Sequence, residues 1–409
     1  MMTNAAEVVR LDPSDPAFGA DRHAAYRRLR EAAPVARTVV NGQDSWLLTG
    51  YAEVEKVLKS PANTVQPHPG EFPAHIGSGP AAEFYRFSLP NVDAPAHTRL
   101  RKLASPAFQP RSVKRMRAWV EEIVTAGLDE LAGRDGVVDF VREYAMKIPA
   151  LIACRLLHAP MADAATVLER MPGLNAVLSQ GDITPEQLAE ADATAQFYFD
   201  YIGDIVDTLR GKLDEDDPVG ALLLAEADGE RLSRTELVVT LVGFFVASYH
   251  TTMVAMTNAV YALTSNKDQF RALAGDPSTA RAAWEENLRF EAPVHFVWRY
   301  AGAGLELGGT PIPEGDHLLL GLAAANRDPA RFERPDAFDP RRPDNRHLAF
   351  TAGGHFCLGA PLSRLEGEIL LRELRRRLPD LELCDAEPPR TTDLTFAMIS
   401  RLDVAPRGR

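Results

Sequence analysis

The stretch FTAGGHFCLGAPLSRLE, Phe350 to Glu366, sets one cysteine in a glycine-rich turn that runs into a helix. Gly353 and Gly354 precede Cys357, Gly359 follows it, and a helical pattern begins at Ala360 and Pro361. Glycine lets the backbone pass through positive φ and come close to a flat ligand. The first amides of a helix carry partial positive charge and favour a thiolate. Three chemistries fit this display. One is a buried structural cysteine in a tight turn. A second is a nucleophile with His355 as base, although alternate residues of a loop rarely reach each other. The third is a single thiolate ligand to a metal group that supplies its other ligands itself. Haem meets that requirement, because the porphyrin fills four positions.

Composition narrows the class. The 409 residues are 45% hydrophobic and 25% charged, which is ordinary for a globular protein. A net charge of −12 argues against a nucleic-acid binder, which needs a basic surface. The N-terminal 26 residues hold no apolar run of signal-peptide length, so a soluble, cytoplasmic protein is expected, with no membrane anchor. Three cysteines far apart, Cys154, Cys357 and Cys384, make a poor disulfide framework.

A second unusual stretch is GFFVASYHTTMVAM, Gly243 to Met256, where an apolar run takes on Ser248, Tyr249, His250, Thr251 and Thr252. Residues 237–263 are long enough to cross a membrane, but these polar residues crowd the centre, so a long helix through a soluble core explains the run better. Polar groups inside such a helix cost free energy unless something there needs them.

Along the rest of the chain, helical patterns cover residues 24–33, 51–60, 95–108, 111–133, 141–157, 277–290 and 361–378. Thr184 followed by Pro185 reads as a helix start. Asn41-Gly42 between two β-like runs predicts a hairpin, and residues 294–322 read as β-rich. Residues 61–92 are dense in Pro, Gly, Phe and His and show no period; a long irregular segment of this kind is expected to border a site. The expectation is one domain over 1–409, mainly α with a minor β portion.

The pattern F-x-x-G-x-H-x-C-x-G, formed by Phe350, Gly353, His355, Cys357 and Gly359, resembles the haem-ligand loop of the cytochrome P-450 superfamily, the haem-thiolate monooxygenases, in their soluble bacterial form. Other landmarks follow in the family's order over about residues 90–370. Glu286 and Arg289 are similar to its E-x-x-R pair, followed by Pro293, Val294 and Arg299. NVDAPAHTRLRKLASPAF, with His97 and Arg101, resembles its haem-contacting helix, and ANRDPARFERPDAFDP the segment before the haem loop.

The resemblance implies a single triangular fold with a long central helix over the haem. It implies haem b with Cys357 as axial thiolate ligand, and His97, Arg101, Arg299 and His355 as donors to the haem propionates. Glu286 and Arg289 become a structural lock with the RFERP segment. The family's central helix carries A/G-G-x-D/E-T, which aligns with Ala247, Ser248, Tyr249, His250 and Thr251. Thr251 is then the hydroxyl that holds dioxygen and relays protons, opposed by the plain reading that it bonds back to Ala247. A local opening of the helix is expected there. The usual acid is replaced by His250, which either relays protons or anchors the helix to a neighbour; Ser248 replaces a relay group or orders a water.

By the same resemblance the reaction is insertion of one oxygen atom from O2 into a small apolar or aromatic substrate. Electrons come from NAD(P)H through ferredoxin and ferredoxin reductase, and the protein is expected to be a monomer. Because of His250, peroxide-driven oxidation, oxidative coupling and nitric oxide reduction stay open, as does a haem sensor or carrier without turnover. Arg101, Lys102, Arg111, Lys114, Arg115, Arg364 and Arg372 form a basic patch suited to an acidic ferredoxin. Candidate substrate contacts are Phe244, Val294, His295, Phe296, Val297, Phe396 and Met398, with the 61–92 and 172–190 segments.

Overall fold

The computed structural model describes residues 9, 11, 18, 21–40, 42–68, 70–72, 76–174, 177, 183–225, 229–273 and 277–407. Asn41, and parts of the 61–92 and 172–190 segments, lie outside the described residues. The first half carries helices α1 (Arg22–Ala32), α2 (Tyr51–Lys59), α3 (Pro80–Phe87), α4 (Ala96–Ala104), α5 (Pro110–Ala132), α6 (Lys147–Leu156) and α7 (Ala164–Arg170). Then come α8 (Pro185–Leu209), α9 (Pro218–Leu224), α10 (Arg234–Ser265), α11 (Lys267–Ala272), α12 (Pro277–Phe290), the short α13 (Leu322–Ala325) and α14 (Ala360–Arg377). The predicted helices appear with shifts of a few residues at most. The 61–92 segment is the exception: it holds α3, opened by Pro80 at its first turn. Its Pro, Gly and aromatic content hid one short helix among turns.

The sheet is small and mixed. Strands β1 (Val35–Val40) and β2 (Gln43–Leu48) form the predicted hairpin, with Val40 opposite Gln43 and Gly42 at φ 76°. β2 pairs in parallel with β7 (His317–Gly321), which pairs antiparallel with β4 (Phe296–Tyr300), while β3 (Val138–Asp139), β9 (Asp403–Ala405) and β8 (Glu382–Leu383) form a second small sheet and β5 (Glu306–Leu307) pairs with β6 (Thr310–Pro311). This sheet packs with α2 and α13 around Leu48, Val54, Leu318 and Leu320. The larger core surrounds α10 and joins it to α6, α8, α12 and α14.

Helix starts follow local chemistry. Thr184 accepts from Gln187 N while Gln187 reaches back to Thr184 N. Ser233 and Glu236 repeat that reciprocal cap at the start of α10, a device that satisfies amides the helix cannot. Glu236 also takes Arg99 of α4 at 2.7 Å, tying the two helices. α10 is long and apolar enough to cross a membrane, yet 61% of its apolar window is buried within the protein. It is a core helix.

The Glu286–Arg289 pair is fully buried and bidentate, with both bonds at 2.8 Å. Arg289 also donates to the carbonyls of Asn326, Pro335 and Ala337. Glu286 accepts from Asp339 N and from Arg342 and Asn345 side chains. The pair therefore pins α12 to residues 326–345, far more than an exposed helical ion pair worth a few tenths of a kcal/mol. Removing one partner strands a buried charge, so Arg289→Leu is expected to lower unfolding free energy by about 3–5 kcal/mol. Urea unfolding of the single variants and of Glu286→Leu/Arg289→Leu checks this: the double variant should lose less than the sum.

Candidate active site

The cysteine loop is held by backbone geometry. Cys357 N donates to Phe350 O at 2.9 Å, which closes the turn. Thr351 sits at φ 59° and Gly353 at φ 70°. Thr351 is held there by its hydroxyl, which donates to His355 O at 2.8 Å. A Cβ at Gly353 would lie 2.3 Å from Leu58 O, so contact with α2 by itself requires this glycine. Gly359 lies beside the sulfur, its Cβ position 4.0 Å from Cys357 Sγ. Burial pushes the Cys357 thiol upward, against the amides of Gly359 and Ala360 and the guanidinium groups of Arg101 and Arg364. The helix amides alone therefore do not make the thiolate; a cation held at the sulfur would complete the charge balance.

A second cluster comes from three separate elements. His97 and Arg101 lie on α4, Arg299 on β4 and His355 in the cysteine loop. The His97 and His355 rings lie 4.0 Å apart. His97 Nε2 is buried with no hydrogen-bond partner. Neither Arg101 nor Arg299 joins an ion pair among the described residues. Burial pushes the Arg299 guanidinium down to about 10. His355 falls to about 3, through burial and the cationic neighbours Arg299, His97 and Arg101. Two guanidinium groups without an ion-pair partner, with only the field of Asp93 opposite Arg299, call for an anion, and the doubly anionic edge of haem fits this donor set, with the two imidazoles as neutral donors.

The third part is the middle of α10. Ala247 is exposed and Gly243, Phe244, Ser248, His250 and Thr251 are half-buried, while the residues between them are buried. No atom outside the helix lies within 4 Å of a Cβ placed on Gly243. Phe108 and Phe244 meet edge to face at 4.8 Å. The helix is unbroken here, contrary to the expected opening. Thr251 Oγ1 donates to Ala247 O at 2.6 Å and Ser248 Oγ to Phe245 O at 3.1 Å. These bonds satisfy the hydroxyls within the helix. The His250 ring stacks toward Tyr249 and Phe396, at 5.4 and 5.7 Å. Burial lowers its pKa, opposed by Asp393.

Other expected pocket residues go elsewhere. His295 is buried among Tyr26 and His23, its Nδ1 2.8 Å from Tyr26 Oη. Phe296 packs on Tyr26 and the third core cluster. Val294, before the strand, and Val297, within it, are half-buried against the second cluster. Met398 packs against the main core. The basic patch is also largely neutralised: Arg111 and Arg115 share Asp216, Arg364 forks onto Glu285, and Arg372 pairs with Glu121 and Glu373.

Glu366 is the residue that sequence reading missed. It is buried on α14, against Thr252 Oγ1 at 3.5 Å, and burial raises it from 4.5 to about 8. The only sequence signal was a carboxylate in the apolar face of α14, among Leu362, Leu365 and Ile369.

A cysteine loop, a cationic cluster and an open stretch of a long helix converge as in a haem-thiolate enzyme. A family profile, Cytochrome P450, matches residues 17–276 and 278–403. The chain belongs to the cytochrome P450 family: it is a haem-thiolate monooxygenase that binds haem b through Cys357. Cytochrome P450 107B1 of Saccharopolyspora erythraea is 36% identical over 406 residues, 97% of this chain and 96% of that protein. The 6-deoxyerythronolide B hydroxylase of the same organism is 36% identical, covering 91% of this chain and 92% of its own. The Bacillus subtilis bacillaene polyketide synthase cytochrome P450 PksS superposes with a TM-score of 0.87 at 29% identity, over 98% of this chain and 100% of that one.

Two outcomes follow. Cys357→Ala is expected to lose the red-shifted Soret band of the reduced carbon monoxide complex, read by difference spectroscopy. Glu366 binds a proton in the folded state that the unfolded chain releases above its ordinary 4.5. Folding stability should therefore fall by about 1.4 kcal/mol per pH unit from pH 5 toward 8 through this group. Glu366→Gln removes that slope; parallel wild-type and variant curves would sink the assignment.

Proposed function

We propose that this protein hydroxylates a small apolar or aromatic substrate using O2, with electrons from NAD(P)H through a ferredoxin and its reductase, in the cytoplasm. The exposed Ala247, among half-buried residues in the middle of the long helix α10, supports this reading as a face open to a guest. The rings of Phe108, Phe244 and Phe396 flank that stretch and suit an apolar guest. Haem held by Cys357 supplies electron-rich iron that favours O–O cleavage.

The chain's own groups divide the remaining work. His97, Arg101, Arg299 and His355 hold the propionates, which fits the lack of an ion pair at either guanidinium among the described residues and the unpartnered Nε2 of His97. Thr251 Oγ1, with its hydrogen given to Ala247 O, presents lone pairs to the pocket and accepts a proton donor there. His250 is read as an anchor to Phe396 and not as a relay, since successive residues diverge by about 100° around a helix. Glu366 holds a neutral proton behind Thr252 near neutral pH.

The missing acid at position 250 supports one second reading, oxidation driven by peroxide. Product formed per NAD(P)H, with ferredoxin and with peroxide in its place, separates the two. For the first reading, wild type turns over with ferredoxin, and Thr251→Val releases several-fold more peroxide per NAD(P)H. Turnover with peroxide alone and equal coupling in both proteins would favour the second. A carrier without turnover would consume no NAD(P)H in response to substrate.

A further inference from the structure

We propose that His250 is the polar handle of the substrate site: it hydrogen-bonds a neutral hydroxyl carried by an aromatic substrate and so fixes which carbon faces Ala247. The inference rests on the reading that an apolar or aromatic molecule lies against α10.

Position comes first. His250 lies seven residues from Gly243 and three from Ala247, and residues spaced by seven, or by three and four, share one helix face. Gly243 has open space at its Cβ position and Ala247 is exposed, so the stripe Gly243–Ala247–His250 borders one opening. Along the stripe the side chains run from none, to methyl, to imidazole. An apolar body is accommodated by the first two, and its polar end meets the third.

Chemistry comes next. Neither ring nitrogen of His250 has a hydrogen-bond partner among the described residues, while its ring faces pack near Tyr249 and Phe396. Those aromatic neighbours orient the imidazole without using its edge. A neutral imidazole offers one donor and one acceptor, which matches a hydroxyl, itself both donor and acceptor. A carboxylate is disfavoured, because Asp393 lies close enough for its charge to act on His250. Phe396 N donates to Asp393 Oδ1 at 2.6 Å and Arg22 binds Asp393 O, so this negative charge is held in place beside the ring. The rings of Phe108, Phe244 and Phe396 suit an aromatic guest by edge and face contact. Ala247 lies about 4.5 Å from His250 along the helix axis, roughly the width of one aromatic ring. The hydroxyl is thus a positioning contact, and the reacting carbon lies one ring-width away.

The test uses the haem-loaded protein and three probes of one shape: biphenyl, 4-phenylphenol and 4-phenylbenzoate. Binding is read from the substrate-induced shift of the Soret band, in wild type, His250→Phe, His250→Gln and Thr251→Val. In wild type, 4-phenylphenol should bind about 5–10-fold tighter than biphenyl, the worth of one net hydrogen bond. 4-Phenylbenzoate should gain nothing. His250→Phe keeps the ring stack and should bind biphenyl as wild type does, with the hydroxyl advantage lost. His250→Gln, which keeps a donor and an acceptor, should restore part of it. Thr251→Val should leave it intact. An advantage that persists in His250→Phe, or that disappears in Thr251→Val, overturns the proposal. So does tighter binding of the carboxylate, or biphenyl binding with no hydroxyl advantage in wild type, which leaves the apolar-substrate reading standing. If no probe shifts the band in wild type, that broader reading fails and the proposal with it.

Discussion

The Glu286–Arg289 fork is the interaction on which the site depends. It sits at zero exposure, and seven hydrogen bonds from the pair reach across residues 326–345, the chain that delivers the cysteine loop. Two charges in the core cost several kcal/mol each to desolvate, and the cost is offset only when every lone pair and proton is matched. Here the match is made largely by main-chain carbonyls of an irregular segment. A segment without its own ladder of hydrogen bonds thereby gains a fixed course. Asn326, at its start, extends the network: its carbonyl receives Arg289 and its side chain receives Leu348 N at 2.7 Å, two residues before Phe350.

The electropositive cluster shows the opposite economy. Its members come from α4, β4 and the cysteine loop, and among the described residues no carboxylate forms an ion pair with Arg101 or Arg299, Asp93 acting on Arg299 and His97 only through its field. Nearby Arg99 and Arg289, which serve structure, are fully engaged. The contrast separates structural cations from those kept for an anionic guest, and it does so by partners instead of by position in a motif.

The cysteine loop, the E-x-x-R pair and the central helix were legible because local spacing fixes each of them. The turn around Cys357 and the helix after it are written in consecutive glycines and a proline. His295 was misread, because its neighbours Tyr26 and His23 are some 270 residues away in sequence and a strand's facing cannot be told without its partners. The pairing of the basic patch was hidden for the same reason: Asp216, in the turn before α9, and Glu285, on α12, lie far in sequence from the Arg111, Arg115 and Arg364 that they pair with. Thr251 could not be settled from spacing, since a back-bond to Ala247 and a bond to a guest use the same hydroxyl. Glu366 was invisible because a charge pattern does not state the depth at which a carboxylate will lie.

The parallel pairing of Trp46–Leu48 with Leu318–Leu320 joins strands from opposite ends of the chain. During synthesis, the N-terminal hairpin must wait for most of the polypeptide before its inner edge is covered. Such distant pairings make for slow folding and leave strand edges exposed meanwhile. The cysteine loop follows β7 by only some thirty residues, so sheet closure and the arrival of Cys357 are close in time.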